Sequence, residues 1–217
     1  MSTNKSKVAV IGIGNIGKVV AANLVKGNRP VIIASRKTED AEVLAENLGV
    51  QATVSTVKRA IEEADIIILA VWFDTIKELL KTYASEFQGK IIIDPSNPIA
   101  PDGEGGFKKI IGEEESSGEI LAGLLPNGAI FAKAFGTLGV GSLESEAHRT
   151  SEKAVLIYAA DDTRINGNIE ELIQDSGFDA FRVGGIDQSI RIEVFGDLHE
   201  FGALGKAVTV RKLKEKI

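Results

Sequence analysis

Residues 7–36 have the sequence KVAVIGIGNIGKVVAANLVKGNRPVIIASR, from which the architecture of the chain can be predicted. Val8–Ile11 is a short apolar run rich in β-branched residues, which is typical of a strand buried on both faces. A helix is predicted to begin near Asn15, and a second apolar strand follows at Val31–Ala34. The stretch therefore predicts a strand, a glycine-rich turn, a helix and a parallel strand.

The turn contains Gly12, Gly14 and Gly17 in the spacing G-x-G-x-x-G. Gly12 would let the chain turn tightly, Gly14 would let the backbone approach a pyrophosphate without a Cβ, and Gly17 would let the helix pack closely on the strand. The N–H groups at the start of the helix, near Asn15, would face the diphosphate. We predict nucleotide binding here; the alternative is a glycine-rich turn that binds nothing.

The end of the second predicted strand indicates which dinucleotide is bound. NAD sites usually carry an Asp or Glu about 20 residues past the glycines, where it binds the ribose 2′-hydroxyl. This chain has Ser35, Arg36, Lys37 and Thr38 instead, so no carboxylate would repel a 2′-phosphate. Arg36 could stack on the adenine or pair with the phosphate, and the other three residues add donors. We predict NADP(H). The alternative is that Arg36 and Lys37 only solvate a loop and Thr38 only caps the next helix.

Composition excludes several classes of function. A length of 217 residues with 44% apolar residues and 23 glycines suits one α/β domain, and a net charge of −6 argues against nucleic-acid binding. The absence of cysteine excludes disulfides, thiolate metal sites and cysteine catalysis. The apolar run Ile66–Phe73 is too short to span a membrane, and the polar N-terminus MSTNKSK does not resemble a signal peptide. We expect a cytoplasmic protein without a membrane partner or a metal site.

Strands and helices are predicted to alternate along the chain. Further strands are predicted at Val50–Val54, Asp65–Val71, Lys90–Ile93, Ala129–Phe135, Ala154–Ala160 and Phe178–Val183. Further helices are predicted at Thr38–Leu48, 55–64 with Ser55 as its cap, Thr75–Phe87, Ser117–Leu125, Thr163–Ser176 and Ile186–Phe201. Residues 94–106, DPSNPIAPDGEGG, are predicted to be loop, and the basic C-terminal end is predicted to fray.

This order predicts a doubly wound, mostly parallel sheet of the Rossmann type with a small C-terminal α/β extension. We expect a single domain over residues 1–217, with a dinucleotide-binding core at 1–100 and an extension at 101–217 that continues the sheet.

Ligands of such a sheet bind at the carboxyl ends of its strands. The candidate cofactor residues there are Ala70, Val71 and Trp72 after the fourth strand, and Ser96 and Asn97 after the fifth. Trp72 would lie near the ribose or the nicotinamide, or would pack in the core. Asp94 to Pro98 would alternatively only build a rigid turn.

Two further side chains leave alternatives open. Lys133, inside a predicted strand, must reach solvent, pair with an acid or face the cleft. His199, one of two histidines, would close over the cofactor or serve only in packing.

No residue stands out as a catalytic acid or base, because the chain has no G-x-S-x-G, no H-E-x-x-H and no supported carboxylate pair. We therefore assign no catalytic residue. This pattern suits hydride transfer between two cofactors, in which the rings carry the chemistry.

GIGNIG, the ASR that ends the second strand, DPSNP and KAFGTL occur in an order that resembles the NADPH-dependent F420 reductase family (F420H2:NADP oxidoreductase-like proteins). The resemblance covers nearly the whole chain. It implies that residues 12–17 bind the diphosphate, with backbone from Asn15 and Ile16, and that Ser35 and Arg36 bind the 2′-phosphate. It places Trp72, Ser96, Asn97 and Ala134 near the nicotinamide.

The resemblance is weaker at the segment that would face the second substrate. Many relatives have Asn where this chain has Gly136. F420 is an anionic deazaflavin with an acidic tail, which should require basic groups; the candidates are Lys108, Lys109, Lys133 and Arg149. F420, another flavin, a quinone, or a small carbonyl or imine compound remain possible acceptors.

We interpret the chain as an NADP(H)-dependent oxidoreductase that passes hydride between nicotinamide and a flavin-like small-molecule redox acceptor. We expect a homodimer that buries an apolar C-terminal face made of Ile190, Ile192, Val194, Phe195 and Leu198. The alternatives are an imine or carbonyl reductase, whose relatives add a long all-helical domain, and a non-catalytic NADP-binding sensor.

Overall fold

The computed structural model describes residues 5–217, so the first four residues of the polar N-terminus lie outside the described chain. The first half contains β1 (Val8–Ile11), α1 (Asn15–Lys26), β2 (Val31–Ala34), α2 (Thr38–Leu48), β3 (Ala52–Val54), α3 (Val57–Glu63), β4 (Ile66–Leu69), α4 (Phe73–Thr82) and β5 (Ile91–Asp94). The second half contains β6 (Ile99–Pro101), β7 (Phe107–Lys109), α5 (Ser117–Ala122), β8 (Ile130–Lys133), α6 (Val140–Ser145), β9 (Val155–Ala159), α7 (Asn166–Asp175), β10 (Asp179–Gly184), α8 (Ser189–Ile192) and α9 (Val210–Lys214).

Eight strands form one sheet in the order β10-β9-β8-β5-β4-β1-β2-β3. Every neighbouring pair is parallel except β8 and β9, which pair antiparallel at Lys133 and Ala159. The strand order reverses between β1 and β4, which is the switch point where α/β sheets bind ligands. The predicted fold class is therefore confirmed. Strands from both predicted parts of the chain lie in this sheet, and the single-domain division stays a prediction.

Helices cover both faces of the sheet because its central strands are apolar on both sides. Val8 and Val10 of β1 point into one core, which α1, α2, α6 and α7 complete. Ala9 and Ile11 point into the other core, together with α3, α4, α5 and α9. This arrangement leaves the carboxyl ends of β1, β2, β4, β5 and β8 at one edge, called the carboxyl edge below.

The predicted bounds of β1, β2 and α2 are confirmed, while most other elements are shorter than predicted. The predicted caps are wrong in two places. Thr56, not Ser55, caps α3, because its hydroxyl accepts a hydrogen bond from the Arg59 N–H at 3.3 Å. Thr38 is the first residue of α2, and Lys37 precedes it without a side-chain cap.

Residues 94–106 are not all loop. Ile99–Pro101 forms β6, which pairs antiparallel with β7. Between the two strands the carboxylate of Asp102 accepts hydrogen bonds from the N–H groups of Glu104 (2.8 Å) and Gly106 (2.9 Å). These bonds hold the reversal of the chain that closes the hairpin.

The predicted helix Ile186–Phe201 is wrong. A 3-10 turn at 186–188 leads into α8, which ends at Ile192. The chain then turns so tightly that a Cβ on Gly196 would lie 2.4 Å from the carbonyl oxygens of Ile190 and Arg191. The apolar face proposed for a dimer is therefore not a helix face, and Ile192 and Leu198 are buried inside this chain.

The basic C-terminal end is also more ordered than predicted. Residues 210–214 form α9, whose start is capped by the Thr209 hydroxyl and whose Leu213 is fully buried. No helix formed by residues 5–217 is long and apolar enough to cross a membrane.

Candidate functional site

The glycine turn is held against the end of β4. Gly12 has φ +92°, and a Cβ there would lie 2.4 Å from Val71 Cγ1 and 2.5 Å from the Ala70 carbonyl oxygen. A Cβ on Gly17 would lie 1.9 Å from the Gly12 carbonyl oxygen. Glycine is therefore required at both positions so that the turn can pack. The sequence predicted this role, with a tight turn at Gly12 and close packing of the helix at Gly17.

Gly14 differs, because a Cβ built on it would meet no atom within 4 Å. It precedes the 12-residue helix α1, which has no capping side chain and no acid in its first turn. An open, uncapped helix N-terminus with its positive dipole end provides N–H groups for an anion. The turn therefore fits a diphosphate, with Asn15 and Ile16 at the first two helical positions.

The residues after β2 lie next to this turn, since the Gly12 N–H donates to the carbonyl of Ala34 at 2.8 Å. Ser35 is half-buried, whereas Arg36 and Lys37 are exposed. Within residues 5–217 neither Arg36 nor Lys37 forms an ion pair, so both cations are available to a 2′-phosphate at this end of the turn.

Trp72 is 62% exposed and immediately precedes α4, so the alternative that it packs in the core is wrong. Ala70 and Val71, which lie against Gly12, are half-buried. The structure thus brings Ala70, Val71 and Trp72 to the carboxyl edge beside the glycine turn.

Asn97 joins three segments of the chain. Its amide nitrogen donates to the carbonyl of Gly136 at 3.1 Å, and its amide oxygen accepts from the Val194 N–H at 2.7 Å. Ser96 is held through its N–H, which donates to the Asp94 carboxylate at 2.7 Å. Asn97 therefore positions the loops after β5 and β8, a role that the sequence prediction did not include.

Lys133, the last residue of β8, is only 2% exposed and does not face the cleft. Its ammonium donates to the Asp94 carboxylate at 2.5 Å, to the Ser96 carbonyl at 2.5 Å and to the Ser117 hydroxyl at 2.8 Å. A carboxylate oxygen of Glu193 lies 3.8 Å away. Of the three alternatives considered from the sequence, pairing with an acid is the one observed.

Glu193 is the second carboxylate of this buried cluster. It accepts hydrogen bonds from the N–H groups of Ser117 (3.0 Å) and Gly118 (2.9 Å), and from the hydroxyls of Ser116 and Ser117. No local sequence pattern predicts this contact, because Glu193 and Ser117 are 76 positions apart.

His199 is buried and satisfied at both ring nitrogens. Nε2 donates to the Gly136 carbonyl at 3.0 Å, which places the proton there, and Nδ1 accepts from the Phe201 N–H at 2.9 Å. Burial lowers the pKa of His199 below its ordinary value, so the ring is neutral. His199 serves in packing, and the alternative that it closes over the cofactor is wrong.

The loop after β8 carries two unusual backbone positions. Phe135 is buried with φ +67°, a conformation that bulky residues rarely adopt. A Cβ on the next residue, Gly136, would lie 2.7 Å from the Pro95 carbonyl oxygen. Ala134, predicted to lie near the nicotinamide, is buried and donates its N–H to the Asp94 carbonyl at 3.2 Å. The loops after β5 and β8 are therefore packed backbone against backbone.

Three of the four basic residues expected to meet an anionic acceptor already have partners within the chain. Lys133 is buried, and Arg149 pairs with Glu146. Lys109 donates to the carbonyls of Glu113 (2.6 Å) and Glu115 (2.7 Å). Among the described residues no cluster of three or more His, Asp or Glu side chains is arranged to hold a metal ion.

Comparison with known proteins supports the cofactor half of this site. Residues 7–98 match the model of a family described as NADP oxidoreductase, coenzyme F420-dependent. The F420-dependent NADP reductase of Methanocaldococcus jannaschii is 32% identical over 104 residues, which is 43% of this chain and 46% of that protein. The predicted resemblance is confirmed over this region, and the chain spans less than half the length of the curated relatives it matches.

Solved structures match over a longer part of the chain. A hypothetical protein, SMa0349 of Sinorhizobium meliloti, has a TM-score of 0.82 and 25% identity, covering 96% of this chain and 97% of its own. A proposed F420-dependent NADP reductase from Arthrobacter sp. FB24 has a TM-score of 0.72 and 18% identity, covering 84% and 86%. At that identity the second likeness shows the fold alone.

Replacement of Gly14 by Ala should separate cofactor binding from folding. The backbone at Gly14 (φ −66°) accommodates alanine, so the free energy of unfolding should fall by no more than about 1 kcal/mol, the typical size of an N-cap effect. The new methyl group would occupy the space above the turn, and NADPH affinity should fall at least about tenfold, or about 1.4 kcal/mol. Isothermal titration calorimetry measures the affinity. Gly167→Ala, at an open position in α7, is the control, and unchanged NADPH binding by Gly14→Ala would place the diphosphate elsewhere.

Replacement of Lys133 by Met should destabilise the protein strongly, because two buried carboxylates would lose their cation. Breaking a buried ion pair from one side costs about 3–5 kcal/mol, and urea unfolding measures this loss. The control is Lys58→Met, whose side chain is exposed and lies 3.5 Å from Glu86. That change should cost less than about 1 kcal/mol. Equal losses for the two variants would show that the Lys133 cluster is not what holds this region together.

Proposed function

We propose that this chain, whose residues 7–98 match the F420-dependent NADP oxidoreductase family, is an NADP(H)-dependent oxidoreductase. The observation that carries the proposal is the open, uncapped N-terminus of α1 at Gly14, beside the unpaired cations that follow β2. The reaction is hydride transfer between nicotinamide and a flavin-like acceptor, such as F420, another flavin or a quinone.

Each part of the cofactor has a candidate set of residues. Backbone at Gly12, Gly14, Asn15, Ile16 and Gly17 would bind the diphosphate. Ser35, Arg36 and Lys37 would bind the 2′-phosphate. Ala70 and Val71 would flank the ribose, Trp72 would lie near the ribose or the nicotinamide, and Ser96, Asn97 and Ala134 would lie beside the nicotinamide.

Bound NADPH would supply a hydride, that is two electrons and one proton, and a flavin or quinone acceptor would take its second proton from solvent. The chain's own residues bind and orient the two rings. Lys133 and His199 are buried and hydrogen-bonded, so neither is free to move a proton at the acceptor. Catalysis in this proposal therefore rests on the position of the rings.

Two alternatives differ in their support. An imine or carbonyl reductase of the kind considered above would carry a long all-helical domain, whereas here β8, β9 and β10 continue the sheet. A non-catalytic NADP sensor is favoured by the engagement of Lys133 and His199, and it would bind NADPH without turning over any acceptor.

We also propose that the protein is a homodimer located in the cytoplasm. Ile192 and Leu198 are internal, so a homodimer would use what remains exposed of the predicted face, which we propose to be the partly buried Ile190 and Val194, with Phe195 outside the contact. Sedimentation velocity that shows only a monomer at working concentrations would contradict it. The proposed NADP(H)-dependent activity would take place in the cytoplasm.

The function is tested by NADPH oxidation, which is followed at about 340 nm, where reduced nicotinamide absorbs. The pure protein is offered F420, FMN, FAD or menadione as the acceptor. Turnover with at least one acceptor is expected. Tight NADPH binding without turnover on any of the four would contradict the proposal and favour the sensor.

Replacement of Arg36 by Ala tests the cofactor preference. Loss of a charge-assisted hydrogen bond to the 2′-phosphate should weaken NADPH binding by about 1.5–3 kcal/mol more than NADH binding. Calorimetric titration with each cofactor measures the difference. Arg211→Ala, which changes an exposed arginine in α9, is the control. Equal weakening of both cofactors would contradict the assignment of Arg36.

A further inference from the structure

Residues 193–201, here called the clasp, lie across the loops at the carboxyl ends of β5 and β8. The Val194 N–H donates to Asn97, and His199 donates to the carbonyl of Gly136. At the far end of the clasp, the Glu200 N–H donates to the Thr137 carbonyl at 3.0 Å, and its carboxylate accepts from the Gly139 N–H at 2.6 Å. The clasp is thus attached to both of the loops that, in the proposed function, would face the nicotinamide end of the dinucleotide.

The clasp presents two aromatic side chains to solvent. Phe195 is 55% exposed and Phe201 is 61% exposed. The backbone of Phe195 has φ +74°, which is unfavourable for a bulky residue, and strained residues of this kind cluster at active sites and ligand clamps. Phe201 lies over the loop after β8, because a Cβ on Gly139 would be 2.6 Å from Phe201 Cζ.

The charges of the clasp do not favour an anionic ligand. Its ionisable side chains other than His199 are Glu193, Asp197 and Glu200, all acidic. The nearby Arg191 is held by Asp197 through its Nε and Nη2 atoms, at 2.8 to 3.2 Å. Lys133 is enclosed by its own partners. The clasp therefore offers aromatic faces and no uncommitted cation.

We propose that Phe195 and Phe201 bind the hydride acceptor by stacking on its planar ring, and that the acceptor is selected by the ring and not by an anionic tail. The inference rests on the proposed function and specifies its second substrate. In the proposed function Asn97 and Ala134 lie beside the nicotinamide, and the clasp is bonded to Asn97 and to Gly136, so a ring held by the clasp would lie near the nicotinamide. Exposed aromatic side chains bind planar rings without requiring charge.

The test compares riboflavin with FMN, which share a ring and differ in a phosphate, as acceptors for NADPH oxidation. The wild-type protein should show KM values for the two that agree within about threefold and change little with added salt. Phe195→Ala and Phe201→Ala should each raise both KM values about tenfold, the size expected for one stacking contact, while the KM for NADPH stays unchanged. Phe195→Gly removes the ring and relieves the positive φ, so it serves if the Ala variant does not fold.

Leu124→Ala is the matched control, since Leu124 is 50% exposed and follows α5, away from the carboxyl edge. Unchanged KM values in both Phe variants would overturn the proposal. So would a strong, salt-sensitive preference for FMN, because it would show that the phosphate is recognised. A Phe195 variant that dissociates a dimer without changing KM would assign the residue to a subunit interface and overturn it as well.

A separate measurement distinguishes failure of this inference from failure of the proposed function. Quenching of riboflavin fluorescence by the NADP⁺-loaded protein reports ring binding without turnover. Quenching that Phe195→Ala abolishes would support the ring site even if no acceptor is reduced. Turnover by a wild-type protein whose Phe195 and Phe201 variants behave normally would preserve the proposed function and remove the ring site.

Discussion

The buried ammonium of Lys133 connects parts of the chain that are distant in sequence. It contacts Asp94 at the end of β5, Ser117 at the start of α5 and, more loosely, Glu193 at the start of the clasp. A buried ion pair contributes little net stability compared with apolar packing, since both charges lose their hydration. It does fix a geometry, because every alternative position leaves a charge buried without a partner. The α5 N–H groups share the charge of Glu193, so one cation suffices for two carboxylates.

From Glu193 a continuous set of hydrogen bonds reaches the carboxyl edge. Val194 is bonded to Asn97, Asn97 to Gly136, and Gly136 also to His199. The same carbonyl of Gly136 thus accepts two donors from different segments, which restricts the loop after β8 together with the positive φ of Phe135. Such a site is largely preformed, so binding of two rings there would cost little ordering of the protein.

The sequence predicts the cofactor half of the molecule well because its signals are local. The spacing of Gly12, Gly14 and Gly17, and the apolar strands around them, depend on neighbours within a few positions. The clasp could not be predicted, because residues 186–201 have helical periodicity, and the helix ends at Ile192, where Glu193 becomes extended and bonds to the start of α5, 75 and 76 positions away. The partners of Lys133 cannot be predicted from the sequence either, because Ser117 and Glu193 approach it only once β8, α5 and the clasp have assembled.

The match to the known family ends at residue 98, immediately after Asn97. Up to that point the site is built mainly from backbone, whose geometry depends on glycines and strand order and is shared by many dinucleotide-binding proteins. Beyond it, the surface that would meet the acceptor consists of side chains placed by the Lys133 cluster and by Asn97. The likeness to the family therefore covers the region of the proposed nucleotide site and does not reach the region of the proposed acceptor site. The acceptor has to be inferred from Phe195, Phe201 and the absence of lysine and arginine from the clasp itself.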